Sequence, residues 1–256
     1  MDAMAPKELQ RPTAMQSVFP IKQIPREILA EIFWNSMPEI ASDQMPAQML
    51  RRAAPLLPCS VCSSWRELAL AMPELWSSVG IMIRNPDMDP SAAAHIIDTW
   101  LKRSGTLPLT LNIGQLSLVY DNPRSRAKPA LVKSILAAFY SHSSRWQHVA
   151  LYLYDTRSLS LPQLNAPLLR SLELAGIMDK PIRFPFRSCP RLTHLSWPFR
   201  LEASKNPQVP WCQISYLSIS NGMTLFSALE TIRLCPQLEE FTVDSSGSRR
   251  GCKSPS

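Results

Sequence analysis

One pattern constrains this chain more than any other. From Trp146 onward an arrangement of the form L-x-x-L-x-L returns five times, beginning at Trp146, Leu169, Leu192, Ile214 and Leu238. The successive spacings are 23, 23, 22 and 24 residues. Each start is followed by an alternating apolar pair: Val149/Leu151, Leu172/Leu174, Leu195/Trp197, Leu217/Ile219 and Phe241/Val243. Pro167, Pro190 and Pro236 stand two residues before three of the starts. Alternation of this kind marks a strand with one buried face. A fixed period of 20 to 29 residues means each unit is a strand plus a return segment, unable to bury its own apolar face without a neighbour. The expected result is a short solenoid with a parallel sheet.

The stretch ahead of the repeats fits the same build. A helix opens at Pro90-Ser91 with an apolar stripe at Ile96, Ile97, Trp100 and Leu101, and Gly105 suits its C′ stop. Leu109, Leu111 and Ile113 then alternate as a half-buried strand, and Pro129 leads a helix carrying Leu131, Val132, Ile135, Leu136 and Phe139. In each repeat the residues at offsets two, four and six point away from the core, onto what should be a concave sheet face. His148 and His194 fall at offset two and so read as surface residues, not as a catalytic pair. On that face Tyr152, Glu173, His194 and Tyr216 are the candidate target-binding residues, with the two tyrosines offering large contact area at low entropic cost.

Residues 21–79 read differently. Pro25 suits the first position of a helix and Glu27 its first turn, with Ile28, Leu29, Ile32 and Phe33 on one apolar face. A second helical stripe runs Val61, Trp65, Leu68, Ala69 and Met72, and Pro73 ends it. Leu75 and Trp76 form a third short element, and Trp65 and Trp76 are expected in the module's core. A helical unit of some sixty residues can hardly bury Ile28, Leu29, Ile32, Phe33, Leu56 and Leu57 within itself, and the surplus apolar surface points to a partner.

The residues speak against chemistry. None of the phosphate-loop, metalloprotease, nucleophile-elbow or dinucleotide-binding motifs occurs, and seven glycines leave little material for phosphate-cradling loops. Six cysteines are too few for a disulfide scaffold, and Cys59 and Cys62 lack a second ligand pair for zinc. The expectation is a non-enzyme without cofactor or metal. No stretch approaches the roughly 18 apolar residues of a spanning helix. The first twenty residues carry Asp2 and Glu8 without an apolar run, so the expected compartment is cytoplasmic or nuclear, with no membrane partner. The +7 net charge divides into −2 for residues 1–90 (8 basic, 10 acidic) and +9 for the remainder (19 basic, 10 acidic). The basic residues are scattered, as on a solvated surface, and nucleic acid is not an expected partner.

The N-terminal segment resembles an F-box. The carriers are Ile24-Pro25-Arg26-Glu27-Ile28-Leu29 with Ile32-Phe33, then Val61-Cys62-Ser63-Ser64-Trp65-Arg66, and a closing Pro73-Glu74-Leu75-Trp76. The 40 residues from Pro25 to Trp65 exceed the compact form, so residues 35–54 read as an insertion and the segment as F-box-like. The C-terminal pattern is similar to leucine-rich repeats, and Trp100 to Leu109 resembles the joint found in the F-box/leucine-rich-repeat families of basidiomycete fungi. The fold class expected is α+β: an all-helical F-box-like module over 21–79, then a short α/β leucine-rich-repeat solenoid with a parallel sheet over 90–244. Residues 1–20 and 245–256 are expected to be disordered. The resemblance implies docking on the Skp adaptor subunit, and through it a cullin, by Pro25, Ile28, Leu29, Ile32, Phe33, Leu57, Val61, Cys62 and Trp65. The repeats would hold a target protein, whose identity the sequence does not give, for an SCF-type ubiquitin ligase. The alternative is an interaction scaffold, or a shortened relative, with the same domains and no ligase role.

Overall fold

The computed structural model describes residues 24–37, 55–83, 88–115, 129–153, 163–175, 184–197, 208–220 and 224–244. Both expected disordered ends and most of the insertion lie outside them. Six helices are described: α1 (Arg26–Asn35), α2 (Leu56–Val61), α3 (Ser63–Leu70), α4 (Pro90–Arg103), α5 (Pro129–Tyr140) and α6 (Leu225–Leu234). The strands are β1 (Ser78–Ile83), β2 (Leu109–Gln115), β3 (Trp146–Tyr152), β4 (Leu164–Asn165), β5 (Ser171–Ala175), β6 (Phe186–Ser188), β7 (His194–Trp197), β8 (Tyr216–Ser220) and β9 (Glu240–Asp244).

Seven strands form one sheet in the order β1-β2-β3-β5-β7-β8-β9, every neighbouring pair parallel. Its register follows the repeat, since Leu111, Val149, Leu172, Leu195, Leu217 and Phe241 stand side by side across six strands. Proline makes the turn before β5, β7 and β9. The amides of Leu169, Leu192 and Leu238 each donate to the carbonyl three residues back, on Ala166, Cys189 and Cys235, at 3.1 Å. The residue after that carbonyl is Pro167, Pro190 or Pro236, the position where a fixed φ favours a type I turn. Just upstream, β4 and β6 pair in a second, minor parallel ladder.

Strand β1 was not expected, and the boundary drawn at residue 79 falls inside it. The sheet begins where the helical module ends, and Val79, Ile81 and Ile83 enter the same core as the repeat residues. The junction is aromatic. Trp76 is fully buried, its indole N–H donates to the Ala69 carbonyl at 2.9 Å, and its ring meets Trp100 edge-on at 4.9 Å. The Arg103 guanidinium covers Trp76 at 4.5 Å, a cation–π contact.

Helix α4 starts on a side-chain cap, Asp89 accepting from the Ala92 amide at 2.9 Å and from the Ser91 hydroxyl. Its inward stripe is Ala93, Ile97, Trp100 and Leu101, whereas Ile96, expected within, is exposed. Gly105 closes it at φ 58°, donating to the Lys102 carbonyl at 3.2 Å. Arg145 then ties the helix end to the next unit, donating to Leu107 O (2.9 Å), Ser104 Oγ (2.6 Å) and Ser104 O (3.3 Å). A cation there also answers the negative end of the helix. Farther along, aromatic rings fill the interior in a chain, Tyr140, Trp146, Phe186, Phe184 and Trp197, with neighbouring centroids 5.5–6.1 Å apart.

Candidate protein-docking surfaces

On α1 two apolar stripes lie side by side, because both Ile28/Leu29 and Ile32/Phe33 are adjacent pairs one turn apart. Only one stripe goes inward. Leu29 (5% exposed) and Phe33 (1%) are core residues, with the Phe33 ring 5.1 Å from Trp65. Ile28 (52%) and Ile32 (45%) face outward. Pro25 is the residue before the helix rather than its first, its carbonyl accepting from the Leu29 amide at 3.1 Å, and its ring is exposed. Leu29 and Phe33 therefore leave the expected contact surface, since a fully packed side chain has no face to offer a partner.

The second expected helix is broken in two. Cys62 is extended (φ −156°, ψ 172°) between α2 and α3. Ser63 and Ser64 follow it, and serine favours a helix start over a helix interior. The break separates Val61 from the stripe it was read with: Trp65 and Leu68 are half-buried and Ala69 is buried, whereas Val61 remains 49% exposed. One turn before it on α2, Leu57 is 46% exposed. Ile28, Ile32, Leu57 and Val61 thus make two exposed i, i+4 aliphatic pairs, on two short helices that each pack on α3. Cys62 is half-buried beside them. Burial pushes the Cys59 thiol above its ordinary pKa, against the opposing pull of Arg103 and Arg66. That disfavours the thiolate on which metal binding or redox chemistry depends. Among the described residues no group of three His, Cys, Asp or Glu side chains is placed to hold a metal ion.

The second surface is the sheet face turned away from the core. One row across it reads Thr110, His148, Ser171, His194, Tyr216 and Glu240. The next reads Asn112, Ala150, Glu173, Ser196, Ser218 and Thr242. His194 and Tyr216 meet there as a stacked pair, centroids 5.8 Å apart and planes 16° from parallel. Glu173 and Tyr152 lie on the same face, both half-buried and both engaged with other groups. The four expected residues therefore share a face, and on it the His194 and Tyr216 rings are in contact. Of the other expected face residues, Pro198 lies outside the described residues, as do the side chains of Ser220 and Asp244.

A third apolar surface was missed. Thr224 caps α6, its hydroxyl accepting from the Ser227 amide at 3.2 Å. Among residues 225–234 only Thr231 is buried. Leu225 (77%) and Phe226 (71%) are widely exposed, and Leu229, Ile232 and Leu234 join them. The signal was present: a threonine cap followed by apolar residues at 225, 226, 229 and 232 has helical period.

Among the described residues no helix is long and apolar enough to cross a membrane. Comparison with family models, curated proteins and solved structures gives no match.

Proposed function

We propose that the chain is a two-surface adaptor: an F-box-like module that docks on the Skp subunit of a cullin–RING ubiquitin ligase, and a leucine-rich-repeat sheet that holds the target. The observation that carries this reading is the set of four exposed aliphatics, Ile28, Ile32, Leu57 and Val61, on two short helices of the small module that both pack on α3. Water-exposed branched side chains in register on short helices are a cost to a free protein and a source of affinity in a complex. The adaptor has no reaction of its own to perform. It raises the concentration of the target near the transfer machinery, an effective-concentration mechanism. The apolar side of α6 favours a second reading, a scaffold that gathers several proteins without a ligase.

Co-precipitation with the Skp subunit separates the two. The double substitution Ile28→Asp with Ile32→Asp places charge on the exposed stripe and leaves Leu29 and Phe33 in the core. It is expected to abolish capture with the melting temperature unchanged, since such anchors are each worth about 2 kcal/mol or more. Capture at the wild-type level by that variant would refute the docking assignment. Absence of Skp capture by the wild type would leave the scaffold reading.

A further inference from the structure

The sheet register builds a small basic notch. His148 on β3, Ser171 on β5 and His194 on β7 stand in one row. With neighbouring strands about 4.8 Å apart, two imidazoles flank a single hydroxyl. Both histidines are exposed, and so is Arg170 at the mouth, which has no ion-pair partner among the described residues. His194 is fixed from two sides. Its ring stacks on Tyr216, and its Nδ1 lies 2.9 Å from the Thr193 hydroxyl, which also donates to the Arg170 carbonyl at 3.4 Å. Which of the two donates in the 2.9 Å contact depends on the imidazole tautomer; either way Nδ1 is engaged by Thr193 and Nε2 is the ring nitrogen left for a ligand.

We propose that this notch receives the carboxylate of a Glu or Asp side chain from an extended segment of the target protein. The inference deepens the target-holding role proposed for the sheet and rests on it. The charge balance selects the ligand. Among the described residues Arg170 is the permanent cation that acts on His148, and it offers a planar fork that matches a carboxylate. Burial first, then the Arg170 and His194 charges, hold the His148 pKa below the ordinary histidine value, so His148 adds little charge to the empty notch near pH 7. One negative charge is balanced there. A doubly charged phosphoryl group needs one imidazole protonated as well. Of the neighbouring strands, β2 brings no titratable group, β5 adds Glu173, β8 adds Tyr216, and β9 adds Glu240 two strands from His194. The row therefore runs from basic to acidic, which orients the segment as well as anchoring it.

Proton linkage gives the sign. A docked carboxylate favours the charged imidazole and raises its pKa, so protons are taken up on binding. Affinity then rises as pH falls through the histidine range, until the ligand's own carboxylate protonates near pH 4.

Four histidines in the whole chain make the test tractable. The full-length protein, labelled at histidine and assigned through single His→Gln variants, is titrated by NMR at fixed ionic strength. The probes are the capped tripeptides Ser-Glu-Ser, Ser-Gln-Ser and Ser-phosphoserine-Ser. The glutamate peptide is expected to raise the pKa of His148 and His194 by about one unit, which is about tenfold tighter binding at pH 6 than at pH 7.5. The glutamine peptide should leave both unchanged, and Arg170→Gln should remove the response. Equal shifts with the glutamate and glutamine peptides, a response to the phosphopeptide alone, or an unaltered response in Arg170→Gln would each overturn the proposal. Loss of the notch response with Skp capture intact refutes the notch alone; loss of Skp capture with the notch response intact refutes the docking reading alone.

Discussion

Asp at position 28 and Asp at position 29 are expected to do opposite things, though the two residues are neighbours on one helix. Ile28 points to water and Leu29 into the core. Leu29→Asp buries an unpaired charge and should cost several kcal/mol, enough to unfold a marginally stable protein. Ile28→Asp should change stability by less than about 0.5 kcal/mol. Urea denaturation of the two variants measures the difference, and comparable losses would mean the stripes are assigned the wrong way round. The sequence showed that both stripes are apolar, but a helical period applies equally to 28/32 and 29/33. Which of them goes inward depends on Phe33 finding Trp65, a contact between residues 32 apart. The same limit explains Ile96: it is as apolar as Ile97, and only Ala93 on the inward side shows which way α4 turns.

At the scale of elements, the repeat was legible because the sheet repays it strand by strand. Spacings of 22 to 24 residues delivered Leu172, Leu195, Leu217 and Phe241 into one register line, and prolines at the turns marked where β5, β7 and β9 begin. Strand β1 was not legible: Ser78–Ile83 carries the alternation and follows a turn led by Pro73, but Val79 pairs with Leu111, outside the repeat spacing. The break at Cys62 was hidden too, because Val61 and Trp65 are four apart whether or not the helix is continuous. Gly105 was read correctly as a helix stop, and its conformation gives a clean prediction. At φ 58° an alanine pays the left-handed penalty, while its added Cβ would find nothing nearer than Pro73 Cβ at 4.0 Å. Gly105→Ala should therefore cost about 1 kcal/mol through the backbone alone, measured by thermal unfolding. A loss several times larger would show that crowding, not conformation, governs the turn.

For the whole molecule, the reading of a helical module followed by a separate repeat array meets a continuous interior. Leu29 and Phe33, Leu75 and Trp76, Val79 and Ile81, then Leu111 and Val149 belong to one buried cluster. Trp76 is the hinge of that continuity, packed on Trp100 of α4, bonded to Ala69 of α3 and covered by Arg103. Strand β1, just after it, covers the flank of β2. The expected consequence is a single cooperative transition. Unfolding in urea followed by tryptophan fluorescence and by far-ultraviolet circular dichroism should give coincident curves. Trp76→Ala should shift both curves together by about 3–5 kcal/mol. A chain beginning at residue 88 removes β1 and the Trp76 ring at once, exposing one edge of β2 and the buried face of Trp100. It should be insoluble or lack a cooperative transition, although every repeat is retained. If that shortened chain melts cooperatively near the temperature of the full protein, the module and the sheet fold independently, and the aromatic junction is a contact between two domains.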